Sequence, residues 1–214
     1  LEDYHSEYGI KLGLRVTLAD IRNFQDASEF NDDFDVLIES FEVAAESGAD
    51  VLSIESFGGK EVVSDALVRS DLEGVIFATG VLASIDVERL WKRISEAVGG
   101  RALLGGDTGC AHANSAMVLA DGLRRRMVPH VLAAIVRAVA AVRTLVSYEC
   151  GATGPGKDCA YENVIIKAIT GYPISILGKS SACAHTCLIG NITMAVCNLW
   201  SNESVENVKL FGGL

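Results

Sequence analysis

The chain has 214 residues, half of them hydrophobic and 21% charged, which is enough apolar side chain to bury a sizeable core and too much for a disordered segment. Its formal net charge of −10 argues against a phosphate-backbone partner and so against nucleic acid. The most apolar stretch, Val131 to Val142, is interrupted by Arg137 and closed by Arg143; it falls short of the roughly 20 residues that span a bilayer, so no membrane partner is expected.

The first residues, Leu1 to Glu7, are polar and carry three acids. They contain no apolar signal core, so the chain reads as cytoplasmic with its six cysteines reduced. The missing initiator Met reads as a fragment or a processed chain. Leu12 to Leu18 reads as the opening strand. A helix is predicted over Asn31 to Ser47, where Phe34, Leu37, Ile38, Phe41, Ala44 and Ala45 form one apolar stripe, and Gly48 stops it. Asp50 to Glu55 follows as a short Val/Leu/Ile run suited to a buried parallel strand. The same order recurs with the stripe Val87, Leu90, Trp91, Ile94 and Val98, the stop at Gly99 and Gly100, and a strand from Ala102 to Leu104 running into Gly105, Gly106 and Asp107. A third unit is read as a helix from Val131 to Arg143 with Thr144 to Tyr148 as strand, and a fourth as Tyr161 to Thr170 followed by Pro173 to Ile176.

Strands alternating with helices imply a parallel sheet, either open and doubly wound or closed as a barrel. No Gly-x-Gly-x-x-Gly follows the first strand, and the polar residues gather just after the ends of several strands, which favours an α/β barrel of the TIM (β/α)8 type. About five strand-helix units are legible where a complete barrel needs about 250 residues. The expectation is therefore one barrel domain over 1–214, incomplete and truncated at both ends, with exposed sheet edges that would make it behave poorly alone.

If the strand C-termini share one rim, Glu55, Asp107, Cys110, Glu149 and Cys150 belong to it. Glu55 ends an apolar strand and is either a hydrogen-bonded rim acid or a metal ligand. Cys110, in a glycine-bearing loop, is either a buried filler or a group close to a ligand. Cys183, His185 and Cys187 invite a zinc reading, but the spacing lacks the paired knuckles of a structural site. Thiolates and an acid drawn from separate loops would instead leave a fourth tetrahedral position open to substrate. The run Gly151 to Asp158 mimics a phosphate loop, yet Asp158 stands where Ser or Thr would hold magnesium and Pro155 removes a backbone donor. What that run offers is an approach to Cys159 at a helix start, where the dipole favours a thiolate. Trp91 and Trp200 read as core, and Arg124 to Arg126 as a solvated helix end or loop, with a partner contact as the alternative.

The segments LGLRVTLADIR, DVLSIESFGGKEV, VIFATGVLA, GGDTGCAHANSAMVLAD, GATGPGKDCAYEN, KAITGYPIS, GKSSACAH and GNITMAVCNLWSNESVENVKL together make the chain resemble the methanol:corrinoid methyltransferase family along nearly its whole length. The resemblance implies a Zn2+ cofactor held by one glutamate and two cysteines, which by motif are Glu55, Cys110 and Cys159. It also implies transfer of the methyl group of methanol to the Co(I) corrinoid of a partner protein, as in methylotrophic methanogenesis, in an oligomeric complex. Hydroxide is a poor leaving group, so a Lewis acid on the oxygen and a proton donor would both help; Asp107, Tyr148 and Asp158 are the candidate catalytic donors. The chain departs from the family pattern at His112, which would act as a donor or an extra ligand near the site, and at Thr186, Cys187 and Leu188. Three alternatives stand beside this reading: the same zinc architecture acting on another small O-methyl compound, a non-catalytic module that only binds the corrinoid protein, and a metal-free thiol enzyme of barrel form.

Overall fold

A computed structural model describes residues 1–10, 12–22, 32–121, 130–158, 161–172 and 174–176. Cys159, Arg124 to Arg126, Cys183, His185, Cys187 and Trp200 lie outside these residues. The elements run α1 (Glu2–Tyr8), β1 (Arg15–Ala19), α2 (Asp32–Glu46), β2 (Val51–Glu55), α3 (Lys60–Val68), α4 (Leu72–Phe77), a π-helical turn (Ala78–Leu82), α5 (Ala83–Val98), β3 (Leu103–Asp107), α6 (Cys110–Asp121), α7 (His130–Val139), α8 (Ala141–Glu149), β4 (Gly156–Asp158), α9 (Tyr161–Thr170) and β5 (Ile174–Ile176). β1, β2 and β3 form one parallel sheet in that order, and β4 pairs in parallel with β5. The class is the expected one, α/β with parallel strands.

The predicted helical stripes are the ones that bury. Phe34, Leu37 and Phe41 of α2 and Val87, Leu90, Trp91, Ile94 and Val98 of α5 pack with Leu52 and Ile54 of β2 and Leu104 of β3 in the main core. Each such side chain withdrawn from water contributes about 1.5–3 kcal/mol before ordering costs. α5 ends where its stripe ends, at Gly99, whose φ of 55° closes the last turn in the left-handed region. A second cluster joins Val63, Ala66 and Leu67 of α3 to Val75 of α4, Ala116 of α6 and Leu132 and Val136 of α7.

One irregularity sets the rim. Leu52 pairs with Leu104, but Ser53 pairs with Gly106, so Gly105 is an extra residue in β3. A Cβ at Gly105 would lie 2.3 Å from Ser53 Oγ, and Gly106 takes φ 95°, so both positions require glycine. The shift brings Asp107 opposite Ile54.

Two expectations are corrected. Thr144 to Tyr148 is helix, part of α8, because it continues the turn from α7 with only Ala140 between them. Glu149 and Cys150 therefore end a helix rather than a strand: Glu149 is exposed, and the free thiol of Cys150 lies 3.8 Å from the Glu88 carbonyl on α5. The run after Gly151, read as a loop, contains β4. No helix among the described residues is long and apolar enough to cross a membrane.

Candidate functional site at the strand ends

Glu55 is the last residue of β2, half-buried, and its carboxylate has no hydrogen-bond or ion-pair partner among the described residues. It opens on a cavity of about 490 Å³ shared with Phe57, Lys60 and Ser64 on one side and Ala111, Ser115 and Val118 of α6 on the other. Cys110 is the first residue of α6. Its backbone is brought to this place by β3: Thr108 N–H donates to the Ile54 carbonyl at 3.1 Å, next to Glu55, and Ala113 N–H donates to the Gly109 carbonyl at 2.8 Å to start the helix. Asp158 ends β4, and Cys159 follows it. The approach to β4 runs beside β3, with Thr153 and Gly154 N–H donating to the Leu104 carbonyl at 2.9 and 3.0 Å.

Beneath this rim lies a fully buried polar cluster. Asp107 Oδ2 accepts from Trp91 Nε1 at 3.0 Å, and Oδ1 accepts from Ser56 N–H at 3.3 Å and from Arg143 Nη2 at 3.2 Å. The Asp107 main chain is held as well, by Ser147 Oγ at its N–H (3.0 Å) and Thr144 Oγ1 at its carbonyl (2.9 Å). Arg143 also donates to the Ser56 carbonyl at 2.6 Å, to the Ser56 hydroxyl and to the His112 ring. Burial pushes the Asp107 carboxyl above the usual carboxylate range, against the pull of Arg143, Ser56 and Trp91. Burial, and then the adjacent guanidinium, hold His112 well below the usual imidazole range, so it is the neutral ring that accepts from Arg143.

The sequence-predicted residues are thus unequally placed. Glu55 lines a cavity whose far wall is α6 from Ala111 onward, the residue after Cys110. Asp107 lies just below it with both carboxylate oxygens engaged, and His112 faces Arg143 rather than open space. Tyr148 points elsewhere: its ring stacks on Tyr172 with centroids 5.0 Å apart, and its hydroxyl lies against the Gly156 backbone without a hydrogen bond of normal geometry. Burial there pushes its phenol up to about 12, with Arg15 at the start of β1 pulling the other way.

Sequence reasoning missed the buried cluster of Arg143, Ser56 and Trp91 around Asp107, and also a second ion cluster beside the site. Arg22 donates to both oxygens of Asp20 (2.8 and 2.7 Å) and of Asp86 (2.7 and 2.9 Å), while Asp20 also accepts from Phe57 N–H at 2.8 Å. This ties the end of β1 and α5 to the turn after β2, and Arg22 and Asp86 line a cavity of about 800 Å³ that shares Phe57, Lys60 and Ser64 with the first. The signal was the LADIR segment, whose acid and base two residues apart suit a local fork.

A metal fits the chemistry of this place. Among the described residues no group of three His, Cys, Asp or Glu is assembled to hold one. The Glu55 carboxylate, half-buried and without a partner among the described residues, shares its cavity with the helix that Cys110 opens, and Cys159 follows Asp158 in the sequence; carboxylate and thiol are donors of the kind zinc takes.

The chain matches the family described as Methanol-cobalamin methyltransferase B subunit over residues 1–214. It is 50% identical to the Methanol--corrinoid protein co-methyltransferase of Methanosarcina barkeri across 100% of this chain and 47% of that protein. Its structure is similar to a solved chain of the methanol:cobalamin methyltransferase complex MtaBC from Methanosarcina barkeri, with a TM-score of 0.80 and 49% identity over 90% of this chain and 42% of that one. The chain spans about half the length of these relatives. With the family matched from end to end, the chain belongs to the Methanol-cobalamin methyltransferase B subunit family.

Proposed function

We propose that this chain is the part of a zinc-dependent methyltransferase that holds the metal and the methyl donor, moving the methyl group of methanol to a corrinoid carried by a partner protein. The observation that carries the reading is Glu55: a half-buried carboxylate at a strand end, without a partner among the described residues, facing a cavity walled by the helix that Cys110 begins. Family membership supports methanol and cobalamin as the reactants, and the relatives' names pair the activity with a corrinoid protein.

Glu55, Cys110 and Cys159 would hold the zinc. When bound, it supplies the Lewis acid that the hydroxyl of methanol needs to depart. The cavity at Glu55 is far larger than methanol and shares Phe57, Lys60 and Ser64 with the larger one beside it, and in this reading the partner's corrinoid approaches from that side. Of the three candidate proton donors, Asp158 suits the role best by position, at the end of β4 and next to Cys159. Asp107 is occupied by Trp91, Ser56 and Arg143, and the Tyr148 hydroxyl sits against Gly156 at the start of β4. The chain acts as a portion of one barrel domain.

The test is methyl transfer in vitro under reducing, oxygen-free conditions, with methanol and the reduced corrinoid of the partner protein, followed by the absorbance of the corrinoid. The parent protein is expected to methylate the corrinoid, and Glu55→Ala to lose the rate by about 10²-fold or more, the scale of losing a metal's polarising role. Transfer from another O-methyl compound but not from methanol would move the substrate. Complex formation with no transfer from any donor would reduce the chain to a binding module.

A further inference from the structure

We infer that Arg143 is a positioning residue for the metal site: one guanidinium spans the backbone next to Glu55 and the helix that begins with Cys110, and so fixes how far apart the two ligand-bearing segments stand. This rests on the proposed function above. Arg143 Nη2 donates to the carbonyl and hydroxyl of Ser56, the residue after Glu55, and Nη1 donates to His112, two residues after Cys110. Asp107 anchors the same Nη2 at 3.2 Å and itself accepts from Ser56 N–H at 3.3 Å. All four side chains are buried, with Arg143 and His112 wholly inaccessible.

The chemistry argues for a purpose beyond folding. A buried ion pair contributes little net stability compared with well-packed apolar residues, because the desolvation of both charges offsets their attraction. What a planar fork does supply is fixed geometry at two edges at once. Here the two edges address the strand end of β2 and the first turn of α6; Thr108, just before α6, donates to the Ile54 carbonyl, and the His112 ring also lies against the Gly58 backbone. The buried His112 ring stands as the partner of Arg143 Nη1 in this arrangement. Partners of this kind behind a metal site set ligand orientation, and their loss typically lowers metal affinity about 10–100-fold.

The experiment compares the parent with Arg143→Met, His112→Leu and His112→Gln, each loaded with Co2+ in place of zinc and titrated with a competing chelator. Trp91→Phe, which removes the bond to the far oxygen of Asp107, serves as the control for general loosening of the cluster. Arg143→Met and His112→Leu are expected to bind Co2+ about 10–100-fold more weakly and to shift the thiolate-to-cobalt charge-transfer band. His112→Gln, which keeps an acceptor, is expected to recover most of both, and Trp91→Phe to keep the parent spectrum while melting at a lower temperature. If Arg143→Met does not fold, His112→Leu decides alone, since it leaves the Arg143 and Asp107 pair intact. Parent-like affinity and spectrum in folded His112→Leu would overturn the inference and leave the proposed function standing. A parent that takes up no Co2+ would overturn both.

Discussion

Two acids end neighbouring strands of one sheet and live in opposite surroundings. Asp107, at the end of β3, is buried with three hydrogen bonds to its carboxylate and two side-chain bonds to its main chain, while the carboxylate of Glu55, at the end of β2, has no partner among the described residues and opens on a cavity. The difference comes from the extra residue at Gly105, which sets Asp107 opposite Ile54 and lets it reach Arg143 and Trp91 below the rim. One acid has its oxygens engaged in holding the frame; the other is the one proposed above as a metal ligand. A strand-end position alone therefore does not identify a reacting group; whether its oxygens are already taken does.

The contrast is sharpest in a pair of conservative variants. Glu55→Gln is expected to lose methyl transfer by about 10²-fold or more while its metal-free form unfolds at nearly the parent urea concentration. Asp107→Asn is expected to unfold about 3–5 kcal/mol more easily, because Arg143 is left as an uncompensated buried charge; a parent-like urea midpoint for it would break the division of roles. A smaller effect is expected for Trp91→Phe, which strands Asp107 Oδ2 without its donor and should cost about 1–3 kcal/mol in the same unfolding measurement.

Tyr148 supplies a test at the other end of the strands. Its folded pKa is raised by burial to about 12, above the ordinary phenol value of 10.0. The neutral form is the one the fold prefers, so its contribution is fully present below pH 10 and is lost as pH rises through 12. In Tyr148→Phe part of that alkaline loss should disappear, measured as the change in melting temperature between pH 9 and pH 11.5. An unchanged profile would remove Tyr148 from the buried interior. Smallest of all is Lys92→Ala: its bond to Glu88 at 2.5 Å joins two exposed side chains on α5, and deleting it should leave the urea midpoint at the parent value.

Much of this frame was legible in the residues. The stripes of α2 and α5, the strands β2 and β3 and the place of Glu55 follow from periodicity and turn residues, because those signals are local. Thr144 to Tyr148 was misread for a local reason: its Thr, Leu and Val suit a short strand as well as a helix, and only the packing of Arg143, Thr144 and Ser147 around Ser56 and Asp107 selects the helix. The role of Arg143 was hidden because its partners stand 31, 36 and 87 residues away; from the sequence it looked like the polar end of an apolar helix. The helices α3 and α4 and the π-helical turn between Lys60 and Leu82 were left unassigned, since their apolar residues split between the second core cluster and the surface. Cys110 and Cys159 were chosen among six thiols by resemblance, which spacing by itself does not rank.

The most direct measurement is zinc content per chain on protein purified without oxygen, for the parent and for Glu55→Ala, Cys110→Ala and Cys159→Ala. About one zinc in the parent and a strong loss in all three variants is the expected result for a site of one carboxylate and two thiolates with an open position. Zinc retained in all three variants, or lost only when Cys183 or Cys187 is changed, would contradict the account and place the metal away from the cavity at Glu55.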